Sequence, residues 1–196
     1  MSHYKDYLRV LHDRLGVSVF IFDYRGYGQS EGTPSERGLY RDAEAALRWV
    51  SAQPGLAGKR LVYFGHSLGT AVAIELALRH PPSAIILEAP LLSVRATTAD
   101  RARWAVPLSF LLNTRFNSAA KIGRIHAPVF IAHGDMDETV PLRHGRRLFE
   151  LANEPKVFHP IAGGGHRDPY LAGGQAYLEA LERFLRDVEA RQTAAA

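Results

Sequence analysis

The stretch that decides the fold spans residues 61–69 and reads LVYFGHSLG. Its first four residues are apolar, β-branched or aromatic, as in a buried strand, and residues 68–80 continue as a nearly all-apolar helical segment. Ser67 stands between them, flanked by Gly65 and Gly69, in the G-x-S-x-G pattern that places a serine on a sharp turn from a strand into a helix. The stretch therefore predicts a strand, a tight turn that exposes the Ser67 hydroxyl, and a helix that begins beside it.

Strand-like and helix-like segments alternate along the rest of the chain. Such alternation with short connections predicts an α/β fold, a mostly parallel sheet with helices on both faces. The last strand-like run contains Pro160, which cannot donate to a strand ladder, so we expect this strand at an edge of the sheet. The predicted strands span residues 17–22, 60–65, 84–87, 129–132 and 156–161.

Two helix ends carry residues that favour them. Gly16 suits the C-terminal end of a helix over residues 4–14. Thr33 as the N-cap, Pro34 as the first helical residue and Glu36 three residues after the cap match a capping box. We therefore expect the second helix to begin at Pro34.

The length of 196 residues predicts a single domain over residues 1–196. One stretch, about residues 91–125, has no strand pattern and is long enough for a pair of helices. It contains Trp104, Phe110 and Phe116, which suggest a short helical lid over an apolar substrate. Ordinary packing of these aromatic side chains in the core is an equal alternative.

Composition excludes several classes of protein. The chain has no cysteine, so a disulfide framework, a thiolate metal site and a cysteine nucleophile are all excluded. No apolar run reaches the ~18 residues of a membrane span, and residues 1–16 lack the apolar core of a signal peptide, so we expect a cytoplasmic chain. The net charge is +4, but the arginines are scattered, so we expect no nucleic-acid partner.

Ser67 is the candidate nucleophile, and a serine hydroxyl needs a base to become reactive at neutral pH. The best-placed base is His166, which follows three glycines in the loop between the last strand and the last helix. His133 ends a strand but stands beside the acid candidates, and the side chain of His66 is expected to leave the serine turn in another direction. The first amide of the following helix, that of Leu68, is the candidate oxyanion donor.

The base needs a carboxylate that orients it, and several candidates follow the fourth strand. Residues 135–138 read DMDE, and physical reasoning from sequence does not separate these three carboxylates. Glu88, after the third strand, is a weaker candidate from another loop. A calcium loop is a weak alternative, because Val140 occupies the sixth position, where such loops carry glycine.

A second glycine-rich segment follows residues 17–22, with glycines at positions 26, 28 and 32. It superficially resembles a dinucleotide-binding fingerprint, but the spacing is one residue too long. The next helix is capped only at Thr33, so no helix N-terminus faces the glycines. The sequence therefore indicates no nucleotide and no other cofactor.

The chain resembles the α/β-hydrolase superfamily, and within it the branch that includes animal protein depalmitoylases and uncharacterised bacterial serine hydrolases. Four ordered motifs carry the resemblance and together span nearly the whole chain: DYRGYGQSEG at residues 23–32, GHSLG at 65–69, HGDMDETVP at 133–141 and GGGH at 163–166.

The resemblance implies a serine hydrolase that cleaves an ester or thioester through a Ser-His-Asp triad and uses no cofactor. In the family the acid is the aspartate of an H-G-x-x-D-x-x-V pattern, which falls on Asp137. The family's serine and histidine fall on Ser67 and His166, in agreement with the residue-level choice. The implied substrate is a small apolar molecule or an acyl ester.

The chain also departs from the family, whose catalytic domain begins with three further strands. A loop after the third of these supplies a second oxyanion amide, and the third strand separates the two that match residues 17–22 and 61–64. We favour a longer protein in which Met1 is a misassigned start, with membrane contact only through an anchor in that longer form. The alternative is a weak or inactive remnant that acts by binding, if it acts at all.

Overall fold

The structure is a computed structural model that describes residues 5–100, 114–167 and 169–194. The chain forms two compact units, Met1–Lys59 and Arg60–Ala196. The expectation of a single domain stays a prediction. The two units are described in turn below.

The first unit contains helix α1, Lys5–Leu15, and helix α2, Glu36–Ser51. Gly16 ends α1 with a φ of +63°, and its amide donates to the carbonyl of His12 at 3.0 Å. This left-handed conformation is one that glycine adopts without steric cost. The predicted end of the first helix is therefore confirmed.

The predicted start of the second helix at Pro34 is wrong, because Ser35 is the N-cap. Ser35 is extended, and its Oγ accepts a hydrogen bond from the amide of Gly38 at 3.1 Å. A hydroxyl can satisfy that third helical amide only from the position directly before the helix. Arg25, from the loop before this helix, packs its side chain against Gly38 in the first turn. The same side chain forms an ion pair with Asp42, further along the helix, at 2.7 Å.

The prediction of a buried strand over residues 17–22 is also wrong. This segment is neither helix nor strand, and Val19, Phe20 and Ile21 are 41%, 46% and 38% exposed. A β-branched and aromatic run becomes a strand only where a neighbouring strand satisfies its amides and carbonyls. In the described part of the chain the sheet contains four other strands and not this segment.

The second unit contains a parallel sheet of four strands in the order β1-β2-β3-β4. β4 lies at an edge, as Pro160 predicted. Because all four strands are parallel, the segments that follow them leave from the same edge of the sheet. The strands are β1, Val62–His66; β2, Ala84–Glu88; β3, Val129–Gly134; and β4, Lys156–Ile161.

Helices cover both faces of this sheet, as the alternation predicted. On one face, helices α3, Leu68–Arg79, and α5, Leu142–Leu151, pack on the side chains of β2 and β3 in one hydrophobic cluster. On the other face, Phe130 of β3 contacts Tyr177 and Phe184 of helix α6, Pro169–Ala194. A left-handed residue, Gly174, interrupts α6. No helix in these described segments is long and apolar enough to cross a bilayer.

The stretch predicted as a lid contains helix α4, Val94–Asp100, and a short 3₁₀ helix, Ile122–Arg124. Trp104 and Phe110, two of the three aromatic residues behind the lid hypothesis, lie outside the described residues. The third, Phe116, is fully buried. It therefore belongs to the packed interior of the second unit.

Because the second helix is capped by Ser35, we expect removal of the Ser35 hydroxyl to destabilise the protein more than removal of the Thr33 hydroxyl. We expect Ser35→Ala to lower the free energy of unfolding by about 0.5–2 kcal/mol, because the amide of Gly38 loses its acceptor. Thr33→Ala, the matched control, changes it by less than about 0.5 kcal/mol. Urea unfolding followed by circular dichroism measures both, and an equal or larger loss in Thr33→Ala would contradict the assignment.

Candidate active site

Ser67 lies at the sharp turn between β1 and α3. Its φ of 52° and ψ of −118° are left-handed and strained for a residue with a side chain, and its amide donates to the carbonyl of Glu88 at 2.9 Å. A Cβ at position 65 would lie 2.5 Å from the carbonyl oxygen of Gly69. Glycine at position 65 is therefore what lets the strand and helix approach closely enough to form this turn.

The imidazole of His166 lies between the hydroxyl of Ser67 and the carboxylate of Asp137. Its Nε2 is 2.9 Å from Ser67 Oγ, and its Nδ1 is 2.8 Å from Asp137 Oδ2. A carboxylate only accepts, so Nδ1 carries the proton and donates it to Asp137. Nε2 is then free to accept a hydrogen bond from the serine hydroxyl, the orientation in which an imidazole can take a proton from serine.

Asp137 is a buried carboxylate held by several donors. Its Oδ1 accepts hydrogen bonds from the amides of Thr139 and Val140, each at 2.8 Å. Burial by itself raises the pKa of Asp137, but the hydrogen bonds from His133, His166 and the Val140 amide outweigh it and hold the pKa below its usual range. Asp137 therefore stays ionised at neutral pH and faces His166 as an anion.

A second histidine, His133, lies behind this carboxylate and is fully buried. Its Nε2 is 3.4 Å from Asp137 Oδ2 and 2.7 Å from the carbonyl oxygen of Val140. A carbonyl oxygen only accepts, so Nε2 is the nitrogen that carries the proton. The imidazole therefore contributes a donor on the side of Asp137 away from solvent.

Asp135, the other aspartate of the acid motif, has a different position. It is exposed, and its Oδ1 accepts a hydrogen bond from the amide of Gly163 at 2.7 Å. Its own amide donates to the carbonyl of Ile161, and the amide of Met136 donates to Gly164. Asp135 thus joins the loop after β3 to the loop that carries His166.

The two loops touch through their backbones at two glycines. A Cβ at Gly134 would lie 2.1 Å from the carbonyl oxygen of Gly164, and one at Gly164 would lie 3.1 Å from the Cα of Gly134. No larger residue fits at position 134 without moving the backbone. These glycines therefore set the distance between the acid loop and the histidine loop.

His66, beside the serine, also reaches the histidine loop. Its Nε2 donates to the backbone carbonyl of His166 at 2.8 Å, and the two rings lie 5.2 Å apart. Burial lowers the pKa of His66, although its hydrogen bond to His166 and the nearby Asp137 act in the opposite direction. The side chain therefore stays neutral and acts as a donor that holds the backbone of His166.

The other candidate residues of the sequence analysis are Glu88, Glu138 and Leu68, and each has a different environment. Glu88 is buried at the end of β2, where its carboxylate accepts a hydrogen bond from Tyr177, and Glu138 is exposed. Leu68 is the first residue of α3, and a helix leaves its first amides without intrahelical acceptors. The amide of Leu68 is thus placed beside Ser67, and its role as an oxyanion donor stays a prediction.

The sequence analysis raised two alternative sites, a calcium loop and a dinucleotide-binding loop. In both, the polar groups described below bind other groups of the protein. Both aspartates of the calcium-loop alternative bind amides of the protein, and the described residues contain no group of three or more carboxylate or imidazole side chains that could hold a metal ion. In the glycine-rich loop, the amide of Gly26 donates to the carbonyls of Ser30 and Glu31. That amide therefore donates its hydrogen within its own loop and does not offer it to a phosphate group.

The structure thus brings together Ser67, Asp137 and His166, the three residues that the sequence analysis selected. The contacts of His133 and His66 were missed, although both residues lie within the quoted motifs. A weak signal existed for His133, since a histidine that ends an all-apolar strand is buried and needs a partner. For His66 the contact depends on a residue 100 positions away, which no local pattern reveals.

The profile of the family described as "Serine aminopeptidase, S33" matches residues 1–120. The chain therefore belongs to this hydrolase family, within the α/β hydrolases.

Among curated proteins, an uncharacterised protein of Mycobacterium tuberculosis is 44% identical over 173 residues, which are 88% of this chain and 61% of that protein. Human alpha/beta hydrolase domain-containing protein 17B is 35% identical over 175 residues, 89% of this chain and 58% of that protein. The chain thus spans about three fifths of the length of these relatives.

Solved structures share the fold at lower identity. A Pyrococcus furiosus esterase has a TM-score of 0.77 at 19% identity and covers 93% of this chain and 73% of its own. A Paleococcus ferrophilus monoacylglycerol lipase has a TM-score of 0.69 at 18% identity, over 95% and 90% of the two chains. The second unit's parallel sheet and flanking helices are therefore those of an α/β-hydrolase fold, as predicted.

The backbone contact between the two loops predicts that glycine is required at position 134. We expect Gly134→Ala to lower the free energy of unfolding by about 3 kcal/mol, the upper end for overpacking, because the added methyl meets a backbone carbonyl. Gly163→Ala is the control: its Cβ enters open space, and only the positive φ costs about 1 kcal/mol. Urea unfolding gives both values, and the reverse ranking would contradict the contact.

Proposed function

We propose that the chain is a serine hydrolase that cleaves an ester or thioester, with Ser67 as nucleophile, His166 as base and Asp137 as orienting acid. The observation that supports this best is the continuous chain of contacts, 2.9 Å from Ser67 to His166 and 2.8 Å from His166 to Asp137. Membership of a hydrolase family supports the same reaction class.

In the first half-reaction, Ser67 Oγ attacks the acyl carbon while its proton passes to His166 Nε2. The carbonyl oxygen becomes an oxyanion, which the amide of Leu68 stabilises. Asp137 stabilises the imidazolium that forms, because its negative charge lies 2.8 Å from the protonated Nδ1. As the intermediate collapses, the bond to the alcohol or thiol breaks, and His166 returns the proton to that leaving group.

In the second half-reaction, His166 Nε2 takes a proton from water, and the resulting oxygen nucleophile attacks the acyl group on Ser67. Collapse of this second intermediate releases a carboxylic acid and returns the proton to Ser67 Oγ. The net reaction is hydrolysis, and no metal or organic cofactor takes part in these steps.

Esters and thioesters fit this site better than amides. The amine that leaves when an amide is cleaved is a poorer leaving group than an alcohol or a thiol. Amide cleavage therefore depends strongly on oxyanion stabilisation and on protonation of the nitrogen. Leu68 supplies the one oxyanion donor that we assign, so we propose oxygen and sulfur leaving groups. The acyl group is proposed to be apolar, in keeping with the apolar residues of the segment around Trp104 and Phe110.

The nucleophile is tested by covalent labelling of the 196-residue chain with a fluorophosphonate probe. We expect Ser67→Ala to abolish labelling, because the hydroxyl that forms the phosphonate ester is gone. Ser83→Ala is the matched control, since Ser83 lies at the opposite end of the sheet. Equal labelling of wild type and Ser67→Ala would remove the basis for the proposal.

The substrate class is tested by turnover of p-nitrophenyl acetate and hexanoate, of a hexanoyl thioester and of an alanine p-nitroanilide. We expect the esters and the thioester to be cleaved, the hexanoyl compounds faster than the acetate, and the anilide most slowly. Asp137→Asn should lower the ester rate by about 10⁴-fold, because the imidazole then takes the wrong tautomer. Absence of turnover with every compound would instead favour the inactive remnant, and preference for the anilide would favour an aminopeptidase.

A further inference from the structure

His133 is buried completely and binds the acid loop from within. It is the next-to-last residue of β3, and its ring lies between that loop and helix α5. A Cβ at Gly145 of α5 would lie 2.5 Å from His133 Nδ1, so the helix packs directly on the ring. This packing leaves the imidazole little freedom to rotate.

The contacts of the ring determine which tautomer it holds. Nε2 lies 2.7 Å from the carbonyl oxygen of Val140, so it carries a proton. Nδ1 has no hydrogen-bond partner among the described residues, and a proton there would be a buried donor without an acceptor. His133 is therefore neutral with its proton on Nε2.

Val140 links this histidine to the carboxylate of Asp137. Its amide donates to Asp137 Oδ1 at 2.8 Å, while its carbonyl accepts from His133 Nε2. The same Nε2 lies 3.4 Å from Asp137 Oδ2, the oxygen that His166 binds. One N–H group of His133 thus holds the turn around the carboxylate and also adds positive potential at the oxygen that faces His166.

We propose that His133 is a positioning residue of the hydrolase site, which fixes the Asp137 carboxylate so that Oδ2 meets the Nδ1–H of His166. The inference rests on the proposed function, because it assigns His133 a role in the same reaction. His133 acts through its contacts with Val140 and Asp137. The required property is an N–H donor at the place of Nε2.

A matched pair of substitutions separates this role from simple filling of space. Glutamine and methionine have similar unbranched side chains, but only glutamine offers an N–H group near the position of His133 Nε2. We expect His133→Met to lower kcat for p-nitrophenyl hexanoate by about 10–100-fold with KM little changed, as for a misplaced catalytic group. His133→Gln should recover most of that loss.

Thermal unfolding of both variants is measured beside the kinetics. A merely structural role predicts that the two variants lose activity in proportion to their loss of stability, with no rescue by glutamine. Equal kcat values in the two variants, or wild-type kcat in His133→Met, would overturn the proposal. If Ser67→Ala is as active as wild type in the same assay, the proposed function fails instead, and the two failures are thereby distinguished.

A second measurement needs no substitution and so does not depend on folding of the methionine variant. Nitrogen-15 NMR of the wild-type chain labelled at histidine reports which ring nitrogen carries a proton. At pH 7.5 we expect His133 in the neutral form with the proton on Nε2. A neutral ring with its proton on Nδ1 leaves Nε2 without a hydrogen to donate to Val140 and would overturn the proposal.

Discussion

The buried carboxylate of Asp137 is the constraint on which the candidate site depends. A carboxylate removed from water is costly unless hydrogen bonds replace its hydration. Two backbone amides satisfy Oδ1, and His166 with the more distant His133 satisfies Oδ2. Because three of these donors come from residues 133–140, the acid loop is held in one conformation. The fourth donor is the imidazole of His166 itself. The negative charge of Asp137 therefore also orients the His166 ring beside Ser67.

The parallel sheet brings these groups together from distant parts of the chain. Ser67 and His166 are 99 positions apart, yet both follow strands that end at the same edge. Two different local devices then set their final positions. A strained turn with glycine at position 65 aims the serine, while backbone contacts of Gly134 and Asp135 with the histidine loop place His166. The distance between hydroxyl and imidazole thus depends on close backbone packing.

In both places where the sequence analysis was wrong, the local pattern by itself did not decide which backbone hydrogen bonds form. Residues 17–22 have the composition of a buried strand, but an extended segment becomes a strand only when a partner strand accepts its hydrogen bonds. Thr33 and Ser35 both carry a hydroxyl that can cap a helix, and the sequence favours the first through Pro34. The capping hydrogen bond to Gly38 forms from Ser35, with Arg25 packed against Gly38 at the same turn.

The sequence by itself determined the four strands of the second unit, the edge position of β4 and the turn at Ser67, because hydrophobic periodicity, proline and glycine act within a few residues. It also indicated which loops carry the serine, the acids and the histidine. The resemblance to a family pointed to Asp137, but only the tertiary structure shows that its carboxylate faces His166 while Asp135 joins two loops, and that His133 and His66 contact the acid and histidine loops. Those choices depend on burial and on distances between residues far apart in the chain, which no local pattern contains.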